Sequence, residues 1–191
     1  MKKFELVAEM TKEFFGKKLF RIRALISFSD VSVGDLGGWV EKESALDQDG
    51  NAWVSGDAQV YGNARVSGNA WVSGDAQVYG NAQVSGNAWV SGDAQVSGNA
   101  RVSGNAWVSG DAQVYGNAHW ITIGPIGSEN GFLTAFRQKD NSILVRRGCF
   151  SGTTEEFIEA VNRRHGDSVD GEIYRALIPI IKMRLAEVKA D

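Results

Sequence analysis

The side chains that could do chemistry in this chain are few, and their spacing sorts them into sets. His119 and His165 are its two histidines, either of which could act as a general base. His119 stands at the last free position of a repetitive tract, where a capping side chain is the simpler role, and His165 precedes Gly166 at a helix end, where a C-terminal cap fits. Cys149, the one cysteine, lies between Gly148 and Phe150 with no histidine in sequence reach, which fits a buried thiol at a strand end better than a nucleophile. Asp57, Asp75, Asp93 and Asp111 recur every eighteen residues. Stacked about 5 Å apart they could hold a divalent cation, although solvated corner residues are the expectation. No two carboxylates are spaced for general acid and base work. The expectation is therefore no catalytic residue, no metal site and no cofactor.

Three sets point to binding instead. Trp53, Trp71, Trp89 and Trp107 form an outward aromatic column, a surface that usually marks an interface. Self-association is expected there, with cover by the chain's own N-terminal segment or ligand stacking as the alternatives. Ser151-Gly152-Thr153 opens a helix, whose free N–H groups suit phosphate or another anion, and Arg146, Arg147, His165, Asp167 and Tyr174 lie near enough in sequence to complete a nucleotide-sized pocket. Against this, a capping box from Thr153 to Glu156 competes for the same donors. The third set is an edge where Tyr61, Tyr79 and Tyr115 approach Arg65, Arg101 and His119. Tyrosines stack on bases, and two arginines about 10 Å apart could grip two phosphates; a solvated polar face is the plainer alternative.

The elements that must position these residues follow from a double period. From Gly50 to Ala118 each six-residue unit reads Gly, Asn or Asp, Ala, a variable residue, Val, then Ser or Tyr, and tryptophan returns every eighteen. Period-2 alternation puts Ala and Val on one side and the variable residue on the other. Gly followed by Asn or Asp turns a corner, because these residues best tolerate positive φ. Three short strands and three corners use eighteen residues, one triangular coil. A helical reading fails, since a Gly every sixth residue costs about 1 kcal/mol each against Ala and the apolar spacing is not 3.6. Face one then carries the tryptophans, face two Gln59, Gln77, Gln95 and Gln113, and face three Arg65, Gln83, Arg101 and His119.

These hexads resemble left-handed parallel β-helices built from hexapeptide repeats. Handedness is what that resemblance implies, together with a trimer packed through one face. It also brings in acyltransferases, which use a histidine near a cleft between subunits and a loop thrown out of one coil. The uninterrupted hexads lack such a loop.

The flanks do not repeat. Residues 1–49 read as a cap and lead-in coil, with a helical turn over Thr11 to Phe15, a strand over Leu19 to Phe28 and an irregular stretch from Gly34 to Val40. A cap is needed because a terminal coil exposes its core and its strand edges. The β-helix is assigned to residues 50–120 and a small α+β domain to residues 121–191. In the latter, Trp120 to Ile126, Phe132 to Arg137 and Ile143 to Cys149 read as strands. Thr153 caps a first helix that buries Phe157, Ala160 and Val161, and Ile173, Leu177, Ile181 and Leu185 make the buried stripe of a second, which Pro179 must kink or split. The fold class is mainly β: a left-handed parallel β-helix of about four coils with an N-terminal cap and a C-terminal α+β unit.

Gly34-Asp35-Leu36-Gly37-Gly38-Trp39, the hexads, Ile123 to Ser128, Gly148 to Thr153 and His165-Gly166-Asp167 together look like a protein family encoded largely by bacteriophages and prophages. Members often carry Arg where this chain has Glu129. A net charge of −3, split as −1, −2 and 0 over the three segments, makes a nucleic-acid polymer an improbable partner. There is no apolar run of membrane-spanning length, no secretory signal after Met1-Lys2-Lys3 and no cysteine pair, which fits a cytoplasmic location in a bacterial host. The functional expectation is a non-enzymatic binding protein, a homo-oligomer, that captures a small anionic ligand such as a nucleotide signal of an antiviral defence system. A structural scaffold and a β-helix acyltransferase are the alternatives.

Overall fold

A computed structural model describes residues 2–116, 119–138 and 140–186. Asn117 and Ala118, which close the last hexad, lie outside the described residues. The hexads form a three-sided parallel β-solenoid of about four coils. Among the described residues they supply eleven two-residue strands, from β4 (Trp53–Val54) to β14 (Gln113–Val114). Each residue pairs in register with the one eighteen positions on: Trp53 with Trp71, Gln59 with Gln77, Arg65 with Gln83. At the strand ends and corners the N–H groups of each coil donate to carbonyls of the next, as from Asn51 to Gly68 at 2.9 Å. Among the described residues, the Ala and Val of the hexads are at most 1% exposed and form one narrow core.

The corners explain the composition. At Gly86 φ is +69°, and an added Cβ would meet the Gly104 nitrogen of the next coil at 2.9 Å. A side chain there is therefore strained and also blocks stacking. Two corners carry amide ladders, Asn51–Asn69–Asn87–Asn105 at 3.0–3.1 Å and Asn63–Asn81–Asn99 at 3.2–3.3 Å. Asn can donate and accept in such a column, whereas the Asp column of the third corner can only accept.

The N-terminal segment differs from its sequence reading in three places. Thr11–Phe14 is strand, not helix: β1 (Phe4–Phe14) and β2 (Lys17–Ala24) make a hairpin whose two-residue turn, Phe15 and Gly16, has φ of 46° and 71°. Positive φ at both positions gives the turn that matches strand twist. The strand expected to run to Phe28 ends at Ala24, and Phe28 instead folds back through a bridge with Val31. The stretch expected to be irregular contains β3 (Leu36–Val40), which pairs parallel with Gln59–Val60, while Leu46 bridges to Val66. A partial coil thus precedes the first hexad. Gly37 permits it, since a Cβ there would lie 2.5 Å from Ile22 and 2.6 Å from the Val54 carbonyl.

Beyond the solenoid, β15 (Trp120–Ile126), β16 (Gly131–Arg137), β17 (Ile143–Arg147) and β18 (Phe150–Thr153) form an antiparallel meander. Helices α1 (Thr154–His165) and α2 (Val169–Arg184) pack on it. Strand β16 joins two cores: Phe136 belongs to the solenoid core, Leu133 and Ala135 to the helix side. The strand expected to reach Cys149 stops at Arg147, and Gly148, at φ +58°, turns the chain into a fourth strand that sequence reading missed. Cys149 is consequently exposed in a turn rather than buried at a strand end. The buried stripe of α2 is Tyr174, Ile178, Ile181 and Leu185; Ile173 faces out and Leu177 is half-buried. The helix continues through Pro179, which lies on its exposed side.

Candidate functional site

The turn between β17 and β18, the loop after β15, the last turns of α1 and Tyr174 of α2 enclose a cavity of about 110 Å³. Phe150, Phe157, Ala160, Val161 and Tyr174 supply its apolar wall, with Phe150–Phe157 and Phe157–Tyr174 ring centroids 5.2 and 5.6 Å apart. Arg147 is fixed there by two bonds: Nε donates to Tyr174 Oη at 3.1 Å and Nη2 to the Ile126 carbonyl at 3.0 Å. Glycines make this fit, because a Cβ at Gly127 would sit 2.1 Å from Tyr174 Oη and one at Gly131 would sit 2.5 Å from Arg147 Nη1. The His165 ring lies 5.5 Å from that of Tyr174. Ser128, Cys149 and an exposed ion pair between Glu129 and Arg164 at 3.1 Å complete the lining.

Arg147, His165 and Tyr174 thus converge, as the sequence spacing allowed. Ser151 and Thr153 do not join them. Thr153 Oγ1 accepts from Glu156 N at 3.2 Å, and Glu156 Oε2 accepts from Thr153 N at 2.8 Å, so the chain's own carboxylate closes the helix N-terminus. Ser151 pairs with Arg146 across the sheet and is exposed. Arg146 turns to the solenoid, where its guanidinium lies 3.8 Å from the Trp107 ring centroid and bonds Ser109. Sequence reading missed Ser128, Glu129 and Arg164 as lining residues and took Cys149 for a buried thiol. The glycines at 127 and 131 were the available signal, as they mark close approach.

The tryptophan column is only partly open. Trp53, expected at an interface, is 2% exposed, because Phe28 and Phe4 of the cap pack edge-on against it at 5.4 and 6.5 Å. Trp71 is half-buried, and its Nε1 donates to Ser55 Oγ of the preceding coil at 3.0 Å, as Trp89 does to Ser73 at 3.2 Å. Trp89 and Trp107 are 46% and 37% exposed, with centroids 5.8 Å apart and near-parallel planes. Trp89 and Trp107 thus stack on one another, while Trp71 is tilted against Trp89.

The tyrosine edge meets the third face at Tyr115 and His119, whose ring centroids lie 5.8 Å apart, while Tyr61 and Tyr79 turn to one another. Tyr61 is buried, stacks on Tyr79 with centroids 5.1 Å apart, meets Phe14 of the hairpin edge-on, and reaches toward Gln77 on face two. Burial pushes its phenol up to about 12. Tyr115 is exposed and bonds Gln113. On face three, Arg65 borders a shallow depression with Glu43, Asp47, Gln48 and Gln83, acidic company for an anion site, and no tyrosine lines it. Arg101 is exposed two coils on. His119 is a cap: its Nδ1 accepts from Tyr115 N at 3.3 Å, and burial first, then Arg137 and Arg184, hold its pKa down, with the Gln113 main chain opposing. Asp57 bonds Arg21 and Trp39 at 3.1 and 3.3 Å, and those bonds lower its pKa. No group of three or more His, Cys, Asp or Glu among the described residues is placed to hold a metal ion. None of the helices described is long and apolar enough to cross a membrane.

Against known families, the model of the YdcK β-solenoid repeat matches residues 58–74, 76–92 and 94–110. All three stretches lie in the hexads, so this likeness concerns the prism and not the cleft. The chain is also 38% identical over 56 residues to a protein of Escherichia coli (strain K12) named "Uncharacterized acetyltransferase YdcK". That match covers 26% of this chain and 17% of the relative, so the chain spans about a sixth of the curated protein it matches.

Proposed function

We propose that this chain is a binding protein, without a catalytic role of its own, whose C-terminal cleft takes the anionic group of a small nucleotide-class ligand. The convergence of Arg147, His165 and Tyr174 on one cavity supports this reading. Arg147 offers a guanidinium already oriented by Tyr174 and the Ile126 carbonyl, so little ordering cost remains when an anion arrives. Arg164 and His165 add positive or donor character, and the ring of Tyr174 gives a stacking surface. A cavity of about 110 Å³ holds a headgroup rather than a whole nucleotide, so the rest of the ligand would lie over the exposed Cys149–Phe150 turn. The prism serves as a rigid platform, and copies associate through the open tryptophans Trp71, Trp89 and Trp107, a trimer being the first state to test. In a bacteriophage setting, which the family resemblance suggests, such a protein would sequester a nucleotide signal of host defence in the cytoplasm.

Calorimetry and native mass spectrometry with cyclic nucleotides, ADP-ribose derivatives and inorganic phosphate test the proposal. One of these ligands should bind, and Arg164→Ala and His165→Ala should each weaken it without loss of folding, removal of a charged partner costing about 1.5–3 kcal/mol. If none binds, and expression of the protein leaves phage sensitivity unchanged, the sequestering role is overturned and a scaffold replaces it. The likeness to a protein named an acetyltransferase favours acyl transfer as a second reading. That reading requires coenzyme A binding and loss of activity in His119→Ala.

A further inference from the structure

The charges around the C-terminal cleft do not cancel. Glu129, Arg147, Arg164 and His165 are the acidic and basic residues that line it. Glu129 and Arg164 meet at the mouth, 3.1 Å apart and both exposed, and neutralise each other. Arg147 is differently placed. Its two bonds go to the Tyr174 hydroxyl and the Ile126 carbonyl, neither of which carries charge, and its Nη1 takes part in neither. Among the described residues no carboxylate pairs with it. With histidine counted as neutral, the lining is left with one positive charge.

That charge stands beside an apolar floor. Phe157, Val161 and Tyr174 are each 4% exposed, and next to such a wall an uncompensated ion costs more than it does in water. One negative charge on a ligand removes that cost. A second finds no cation left to meet, because Arg164 is already engaged and the Glu129 carboxylate repels it. The backbone fixes Glu129 at the mouth: Gly127 has φ of +69°, and its carbonyl accepts from Asn130 N at 3.0 Å, closing a tight turn with Ser128 and Glu129 at its tip.

Building on the cleft as a small-ligand site, we infer that it selects a singly charged anion, a carboxylate or a phosphodiester, and discriminates against a terminal phosphate, with Glu129 setting that limit. Both favoured groups spread one charge over two oxygens, which a guanidinium fork matches. A phosphomonoester carries nearly two charges at neutral pH.

Calorimetry at pH 8 on two matched pairs gives the test: adenosine 3′,5′-cyclic monophosphate against adenosine 5′-monophosphate, and benzoate against phenyl phosphate. In each pair the first probe is a monoanion and the second nearly a dianion. At least one monoanion should bind, about tenfold or more tighter than its partner. Binding within the nucleotide pair identifies a phosphodiester site, and binding within the benzoate pair a carboxylate site. Glu129→Gln, in an exposed turn, should bring the dianion to within about twofold of the monoanion, with circular dichroism unchanged. Adding Arg164→Gln returns the lining to one positive charge and should restore the discrimination, which a merely structural role for Glu129 would not do. A dianion bound by the parent chain as tightly as its monoanion overturns the charge limit and leaves the small-ligand reading standing, as does unchanged discrimination in Glu129→Gln. Failure of the second substitution to restore it overturns charge balance as the cause. If none of the four probes binds, the small-ligand reading and the limit fall together.

Discussion

Lys3 and His119 do opposite work because the two ends of a parallel β-helix are chemically unlike. At strand ends and corners each coil's N–H groups donate to the next coil's carbonyls, so the first coil is left with more carbonyls to satisfy and the last with more N–H groups. At the first end the buried Lys3 ammonium donates to the carbonyls of Ala52 at 2.9 Å and of Asp49 and Gly50 at 3.3 Å. Burial lowers its pKa, against which Asp47 and Asp49 act. At the far end acceptors serve: Thr134 Oγ1 takes the Trp107 N–H at 3.1 Å, and His119 Nδ1 takes that of Tyr115. Tyr61 supplies a prediction at this scale. Folded, it keeps its proton to about 12, whereas an unfolded tyrosine loses it near 10. Its contribution is therefore complete below about pH 10 and is lost as pH rises from there to about 12. Urea denaturation should show stability lost over that window, and Tyr61→Phe should reduce this slope.

Among the elements, the corners of the prism differ in a way that stability measurements can read. The two asparagine columns each propagate an amide bond from coil to coil, while the Asp57, Asp75, Asp93 and Asp111 column stacks like charges. Asp57 is relieved by Arg21. Replacing Asp93 and Asp111 together by Asn should create one more rung and remove two repulsions, stabilising the chain by about 0.5–1 kcal/mol. The gain should shrink in high salt. A loss of stability in a thermal melt would mean that the carboxylates have partners of their own. At the core the tolerance is far smaller: Val84→Asp places an unpaired carboxylate among residues that are at most 1% exposed, and no folded protein is expected from its expression and circular dichroism.

For the whole molecule, the cap, the prism and the α+β unit are joined by packing. Phe4 and Phe28 seal one end of the tryptophan column, and Arg146 lies over the other. What remains is a strip of rings at Trp71, Trp89 and Trp107, with Trp89 the most open. Trp89→Lys should lower the mass measured by light scattering if copies meet on this face. An unchanged mass would assign the strip to packing within one chain.

The hexad tract was legible in the sequence because each of its rules is local: alternation buries Ala and Val, glycine turns the corner, and an eighteen-residue period fixes the register without reference to anything distant. The capping box of α1 was legible for the same reason. The first forty-nine residues were legible only in part: the strand from Leu19 to Ala24 was, but Thr11–Phe14 becomes a strand only through β2, and Leu36–Val40 becomes one only by pairing with Gln59–Val60. Likewise, spacing could bring Arg147, His165 and Tyr174 near one another, but the turn at Gly148 decided that Arg147 faces the cleft while Arg146 faces Trp107. Alternation along a strand sends neighbours to opposite sides, and which side holds the ligand cleft depends on what packs there, a fact that belongs to the tertiary structure alone.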